Sequence, residues 1–153
     1  MIKIIVAVDS KMGIANEAGI PWHVDQDKQY YKEKIKDSNV LMGRVTYDEQ
    51  TQPVSSGNNY VLTHLDSLRP GFIKVNQIDE LMRSADDIWI IGGENIYKQT
   101  LDFAEQIFIT RIEGDYKCTK FFPEFEKDFT LSASTETNVE NGIKFRFEIY
   151  NRK

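Results

Sequence analysis

The 153-residue chain has a single cysteine, Cys118, and only two histidines, His23 and His64. One thiol excludes an internal disulfide framework. With no CxxC pair and no Cys/His zinc spacing, no metal centre is expected. The lone thiol suits a reducing, cytoplasmic setting, with Cys118 inert. No apolar run approaches the roughly 20 residues that span a bilayer, so no membrane partner is expected. The opening MIKIIVAVDSKMGI has too short an apolar run for a signal peptide and no convincing cleavage site; it reads as a strand. Positive charge is also scarce. Nineteen Lys and Arg face 24 Asp and Glu, a net charge of −5, which argues against a general nucleic-acid surface but leaves room for a local basic pocket. Repeats, low-complexity tracts and dividing linkers are missing too. What remains is 41% hydrophobic and 28% charged, the make-up of one domain over residues 1–153 around a single core. Polar helix faces predict a monomer.

Short β-rich runs alternate with helical ones. IKIIVAV (2–8) is a near-continuous apolar run, as in a strand buried on both faces. Residues 9–23 carry Gly13, Gly19 and Pro21 without periodicity and read as a long loop, a length typical of lids and binding elements. The pattern then predicts a helix over 25–36, a strand over 39–43 and a short helix from Arg44, ended by the turn-rich 53–59. Strands follow at 60–63 and 72–75. Asn76, with Asp79 three residues on, predicts an N-cap for a helix over 77–84. A buried strand (88–91), a helix from GGENIYKQTLDFA and a strand (105–112) come next. After that, Phe129, Leu131 and Ala133 alternate with polar residues, as do Ile143, Phe145, Phe147 and Ile149. Asn141-Gly142 between these runs is a hairpin signal. Crossovers first and an antiparallel pair last predict a mixed, mostly parallel α/β sheet with helices on both faces.

Two features carry chemistry. NVLMGRVT (39–46) and IWIIGGENIY (88–97) are strand–glycine–helix corners, where free backbone N–H groups and the helix dipole favour an anion. Either corner alone is more often simple chain geometry. Two in one small sheet fit a ligand with several phosphates, such as a dinucleotide, although no GxGxxG fingerprint is present. The second feature is Asp27. In IPWHVDQDKQYYKEKIK (20–36), Val24, Asp27, Tyr31 and Ile35 share one helical stripe at about 100° per residue, the side facing a core. Asp25 lies off it, where it can cap the helix. Asp27 is either an acid rotated out to solvent near the helix start, or a carboxylate aimed into a pocket.

The order of motifs decides between these. An apolar first strand with Ala7 is followed by IPW with Asp27 five residues after Trp22. MGRVTY, IIGGENIY, Ile109-Thr110 and FFP (121–123) then occur in sequence. The chain thereby resembles the bacterial-type dihydrofolate reductase family over nearly its whole length. The resemblance implies an eight-stranded, mostly parallel mixed sheet with an antiparallel C-terminal hairpin and four helices, binding NADPH and dihydrofolate in a shared cleft. It implies hydride transfer to pterin C6 with protonation of N5. Asp27 would hold and polarise the ring, Trp22 would fix a water, Thr110 would brace the carboxylate, and Tyr97 would lie beside the nicotinamide. The substrate pocket would comprise Ile5, Val6, Asp27, Tyr31, Lys32, Gln50, Val54, Ile91 and Thr110. The cofactor would meet Ala7, Ile14 and Ile20 on the lid side and Gly43, Arg44, Val45 and Thr46 at the first corner. Leu62, Thr63 and His64 would lie at its adenosine end, and Ile91, Gly92, Gly93, Glu94, Asn95, Ile96 and Tyr97 at the second corner. A cis Gly92-Gly93 bond is implied as well.

Departures concentrate on the substrate-tail side. Gly57 stands where the family has the arginine that pairs with the glutamate tail, and Lys28, Glu49 and Gln50 make the groove more polar. On this reading Gly57→Arg would tighten substrate. His64 replaces a common serine or arginine, Ala15 a lid glycine, and Thr119 the aspartate before FFP, so the lid coupling seen in some relatives is not to be assumed here. Gly57 keeps open a reductase of a pterin or pyrimidine lacking the tail. A non-catalytic folate- or nucleotide-binding protein is a third reading, disfavoured by intact Trp22, Asp27, Tyr97 and Thr110.

Overall fold

A computed structural model describes residues Met1–Lys153. The chain forms one α/β domain whose elements run β1 (Ile2–Val8), β2 (Gly13–Ala15), α1 (Asp25–Ile35), β3 (Asn39–Gly43) and α2 (Arg44–Glu49). β4 (Asn59–Leu62), β5 (Phe72–Val75), α3 (Ile78–Ser84), β6 (Ile88–Ile90) and α4 (Glu94–Thr100) follow, with a 3₁₀ turn over Leu101–Phe103. The last strands are β7 (Gln106–Ile112), β8 (Lys120–Phe121), β9 (Phe129–Ser134), β10 (Asn138–Glu140) and β11 (Ile143–Arg152).

The main sheet has nine strands in the order β10-β11-β7-β1-β6-β3-β4-β5, with β9 also on β11. β1 pairs parallel with β6 and β7, while β11 pairs antiparallel with β7. The count exceeds the expected eight because one row is split. β9 pairs with Glu148–Arg152 and β10 with Ile143–Phe145, both on the edge of β11 away from β7. Between them Thr135 replaces a ladder bond, its hydroxyl accepting from Phe147 N–H. Asn141 and Gly142 turn the chain at φ 52 and 78, the pair of positive values that a tight hairpin of this kind needs.

β1 is apolar at every position but Lys3 because both its faces are covered. Ile4, Val6 and Val8 pack with Ile78 and Met82 of α3 and Ile96 of α4, whereas Ile5 packs with Val40, Met42 and Trp89 in the cluster that takes in Ile35 of α1 and Tyr47 of α2. A third cluster joins Trp22 and Val24 to Ile112 and Phe145, fixing the entry to α1 against β7 and β11.

Three local readings are corrected. Neither Asn76 nor Asp25 caps a helix: the N-cap residues are Gln77 for α3 and Val24 for α1, and neither makes a side-chain cap bond. The start of α1 is capped from afar, by Glu140 of β10, whose carboxylate accepts from the amides of Asp25 (2.5 Å) and Gln26 (3.0 Å). Asp25 instead pairs with His23 at 3.0 Å. The 9–23 segment is not wholly irregular, because β2 pairs with β8 in a separate two-stranded ladder.

Candidate active site

The two glycine corners are one place. Gly43 N–H donates to the Gly92 carbonyl across β3 and β6 (2.8 Å), so the N-terminal ends of α2 and α4 lie side by side. Space there is minimal: a Cβ on Gly43 would stand 2.7 Å from Ile96 Cγ1. Gly92 has φ +111, which L side chains rarely adopt, and a Cβ there would meet the Tyr97 hydroxyl at 3.1 Å. The Gly92-Gly93 peptide is cis. Tyr97 is buried and its hydroxyl donates to the Ile5 carbonyl of β1 (2.8 Å). Beyond the corners opens a cavity of about 680 Å³ lined by Arg44, Leu62, Thr63, His64, Asn76, Asp79, Asn95 and Gln99, among others. Its permanent cation, Arg44, is shared with Asp48 at 3.3 Å. This long cradle of backbone and polar groups fits an extended, phosphate-bearing dinucleotide.

Asp27 sits on the first turn of α1, half-buried. Thr110 of β7 donates to its Oδ1 at 2.7 Å. Burial raises its pKa above the ordinary carboxylate value, and the Thr110 bond offsets only part of that. It borders a cavity of about 310 Å³ with Ile20, Pro21, Trp22, His23, Val24 and Lys28. Burial pushes Tyr31, one turn on, up to about 12. Tyr97 is raised further by burial, with the charges of Tyr31 and Asp27 adding to it. The expected inward stripe of α1 is therefore real but divided: Val24 and Ile35 are buried in the core, while Asp27 and Tyr31 are half-buried.

The remaining expected residues fall as follows. Val6 and Ile14 are buried on one face of the sheet, and Ile5 and Ile91 on the other, where Tyr31 and Val54 pack against the same cluster. Ala7 stands opposite Thr110 in the ladder. Ile20 is 64% exposed at the lid tip and borders the Asp27 cavity rather than the long one. Val45 is exposed and Thr46 half-buried beside Gly93, 3.9 Å from where its Cβ would stand. Glu94 turns from the corner toward the lid ladder, accepting from Phe121 N–H (2.6 Å). Lys32 is exposed and makes no ion pair, and neither it nor Gln50 lines the Asp27 cavity.

Gly57 is a correction. A Cβ there would lie 2.5 Å from the Ser38 carbonyl oxygen and 3.0 Å from Asn39 N, so the position has no room for an arginine. The surrounding loop is tied down by Asn59, which accepts from Val54 N–H and donates to the carbonyls of Ser55 and Gly57.

The lid is also coupled to its neighbour despite Thr119. Thr119 N–H donates to the Ala15 carbonyl (3.0 Å), and its hydroxyl donates to Glu17 (2.7 Å). At the base of the lid, buried Asp9 accepts from the amides of Lys11, Gly13 and Tyr116. Sequence reasoning missed Asp9, for which the signal was an acid ending an apolar strand. It also missed Glu140, for which no local signal exists. The Cys118 thiol is raised to about 11 by burial and by the Asp9 carboxylate beside it.

The dihydrofolate reductase family model matches residues 1–152. The chain is 30% identical to dihydrofolate reductase of Aedes albopictus over 97% of this chain and 96% of that protein. It is 26% identical to dihydrofolate reductase of Bacillus subtilis (strain 168) over 100% and 95%. A solved dihydrofolate reductase from Enterococcus faecalis, complexed with NADP(H) and RAB-propyl, superposes with a TM-score of 0.89 at 25% identity, covering 99% of this chain and 96% of that one. With a braced acid in one cavity, paired glycine corners opening on another and this match from end to end, the chain belongs to the dihydrofolate reductase family, NADPH-dependent oxidoreductases that convert 7,8-dihydrofolate to tetrahydrofolate.

Proposed function

We propose that Asp27 is the acid on which this chain's reduction of dihydrofolate turns. The observation that carries this reading is its carboxylate, half-buried, bound by Thr110 and bordering a cavity beside the lid. An ionised carboxylate is a two-oxygen acceptor that matches the paired N–H donors on one edge of a pterin. The burial that raises its pKa also strengthens its pull on those donors, because little water competes. Thr110 fixes its rotamer.

NADPH, when bound, supplies the hydride that pterin C6 receives while N5 gains a proton. The chain's own residues orient and shield. Ile5, Val6, Tyr31, Val54 and Ile91 wall the pterin, with Gln50 and Lys32 toward its tail. Gly43–Thr46 and Gly92–Tyr97 cradle the phosphates and nicotinamide ribose, Ala7 and Ile14 flank the nicotinamide, and Leu62–His64 take the adenosine end. Tyr97, held by the Ile5 carbonyl, keeps an oxygen beside Gly92, where it favours the positive charge that develops on the nicotinamide. Trp22, packed edge-on to Tyr116 at 5.3 Å, orders the water that delivers the proton, and Ile20 excludes bulk water. The test is loss of NADPH absorbance with dihydrofolate, wild type against Asp27→Asn; equal rates at neutral pH would remove this role.

The whole chain, 1–153, acts as this one catalytic unit, a monomer in the cytoplasm. Support comes from its polar helix faces and lone cysteine, and no helix is long and apolar enough to cross a membrane. Sedimentation at micromolar concentration checks the oligomeric state.

A further inference from the structure

Strand β8 is only two residues long, yet it touches both the lid and the helix that starts at the second glycine corner. On the lid side, Phe121 and Lys120 pair with Gly13 and Ala15 of β2, and Phe122 N–H donates to the Met12 carbonyl at 2.9 Å. On the other side it meets α4 through two neighbouring residues. The Phe122 ring packs edge-on to Tyr97 at 5.1 Å, and Phe121 N–H donates to Glu94 Oε2 at 2.6 Å. Edge-on rings add a modest attraction, whereas a bond to a carboxylate is short, directional and about twice as strong as a neutral one. Glu94 is therefore the firmer of the two ties.

The same carboxylate has other donors within reach. Glu94 is the first residue of α4, next to Gly93, and the opening amides of that helix have no side-chain cap. An acid placed there is ordinarily drawn to those amides and to the positive end of the helix. Here it turns away and leaves them for an anion. Lys98, one turn on, lies 3.9 Å from the other carboxylate oxygen, an exposed pair that contributes little. The acid thus has two exclusive positions. Bonded to Phe121, it secures β8 and clears the corner. Turned back, it releases β8 and lays a negative charge where the cofactor phosphates go.

We propose that Glu94 is a positioning residue through which the bound cofactor and the lid ladder stabilise one another. An anion at the corner repels the carboxylate outward onto Phe121, and a formed β8 keeps it there, so each event favours the other by the same factor. This rests on the reading that the cofactor phosphates lie at the glycine corners. It gives the lid a tie to α4 that is separate from the Asp9 anchor at its root and from the Glu17–Thr119 bond.

The experiment compares wild type, Glu94→Ala and Glu94→Gln by amide hydrogen exchange with and without NADP+, and by single-turnover hydride transfer from NADPH to dihydrofolate. A thermal melt confirms that both variants fold. In wild type, saturating NADP+ should slow exchange at Thr119, Phe121 and Phe122 about tenfold. Glu94→Ala should abolish that response and slow hydride transfer about five- to tenfold, with dihydrofolate KM held within about twofold. Glu94→Gln keeps an acceptor for Phe121 but not the charge that phosphate repels. It should recover the hydride rate to within about twofold while still lacking the NADP+ response. If Glu94→Ala stays within about twofold of wild type in either the NADP+ response or the hydride rate, the proposal is overturned. The corner reading survives that result provided NADP+ protects the amides of Asn95 and Ile96. Should NADP+ leave those amides unprotected in wild type, the corner reading falls, and this proposal with it.

Discussion

Replacing Asp27 with asparagine should move activity and stability in opposite directions. The exchange keeps an oxygen for the Thr110 hydroxyl at its 2.7 Å contact but removes the charge and one acceptor. Losing a charge-assisted partner aimed at the reacting ring costs about 10²–10³-fold in kcat/KM, or ~2.7–4 kcal/mol of transition-state stabilisation. Stability responds with the other sign. Burial raises the folded pKa of Asp27, so the stability it contributes is complete below the unfolded value and is lost as pH rises through the folded one. Asparagine carries no such penalty. At pH about 7 the ligand-free variant should therefore be more stable by ~1–2 kcal/mol, a rise of ~2–8 °C in Tm, with the gap closing on acidification. Absorbance kinetics and melts across pH read both effects. A variant that melts lower than wild type at neutral pH would refute the claim that this charge strains the fold.

Gly57→Arg should weaken the protein rather than tighten substrate. Its Cβ must displace the Ser38 carbonyl, 2.5 Å away, at a cost of ~1–3 kcal/mol, and a melt at or above the wild-type Tm would contradict that. His64 is in the lining of the long cavity, and His64→Ala should narrow the preference for NADPH over NADH; an unchanged ratio of the two kcat/KM values would exclude it from contact with the extra phosphate of NADPH. In Glu148, burial pushes the pKa up, but Arg111 and Arg146 outweigh it and hold the group low. Its stabilisation is present above the ordinary carboxylate value and lost as pH falls through the depressed one. Glu148→Ala should cost ~2–3 kcal/mol at neutral pH, less than for a fully buried pair because Arg111 keeps some solvent, and flatten the acid limb of the melting curve.

What the sequence disclosed depended on the range of each interaction. Strands such as Ile2–Val8 and Asn39–Gly43 were readable because burial writes a local pattern. The Asn141-Gly142 turn was readable because few residues tolerate its backbone. β2 and β8 were not, since a ladder of three and two residues has no period of its own and exists only where the two meet. The Glu140 cap spans 115 residues of chain, and no local rule reaches so far. The Asp27–Thr110 pair came from motif order, not from periodicity. Gly57 shows the reverse error: aligned letters located a missing arginine, but only the Ser38 backbone shows that nothing larger fits.

The fastening of the lid has a consequence for turnover. Asp9 anchors its root and the β2–β8 ladder its middle, while only the tip about Ile20, beyond the Asn16–Gly19 turn, hangs free. A door that short swings without unhooking its frame. Substrate and product can then pass while the paired backbone stays whole, and the entropy spent at each cycle is that of a few residues rather than of the entire segment.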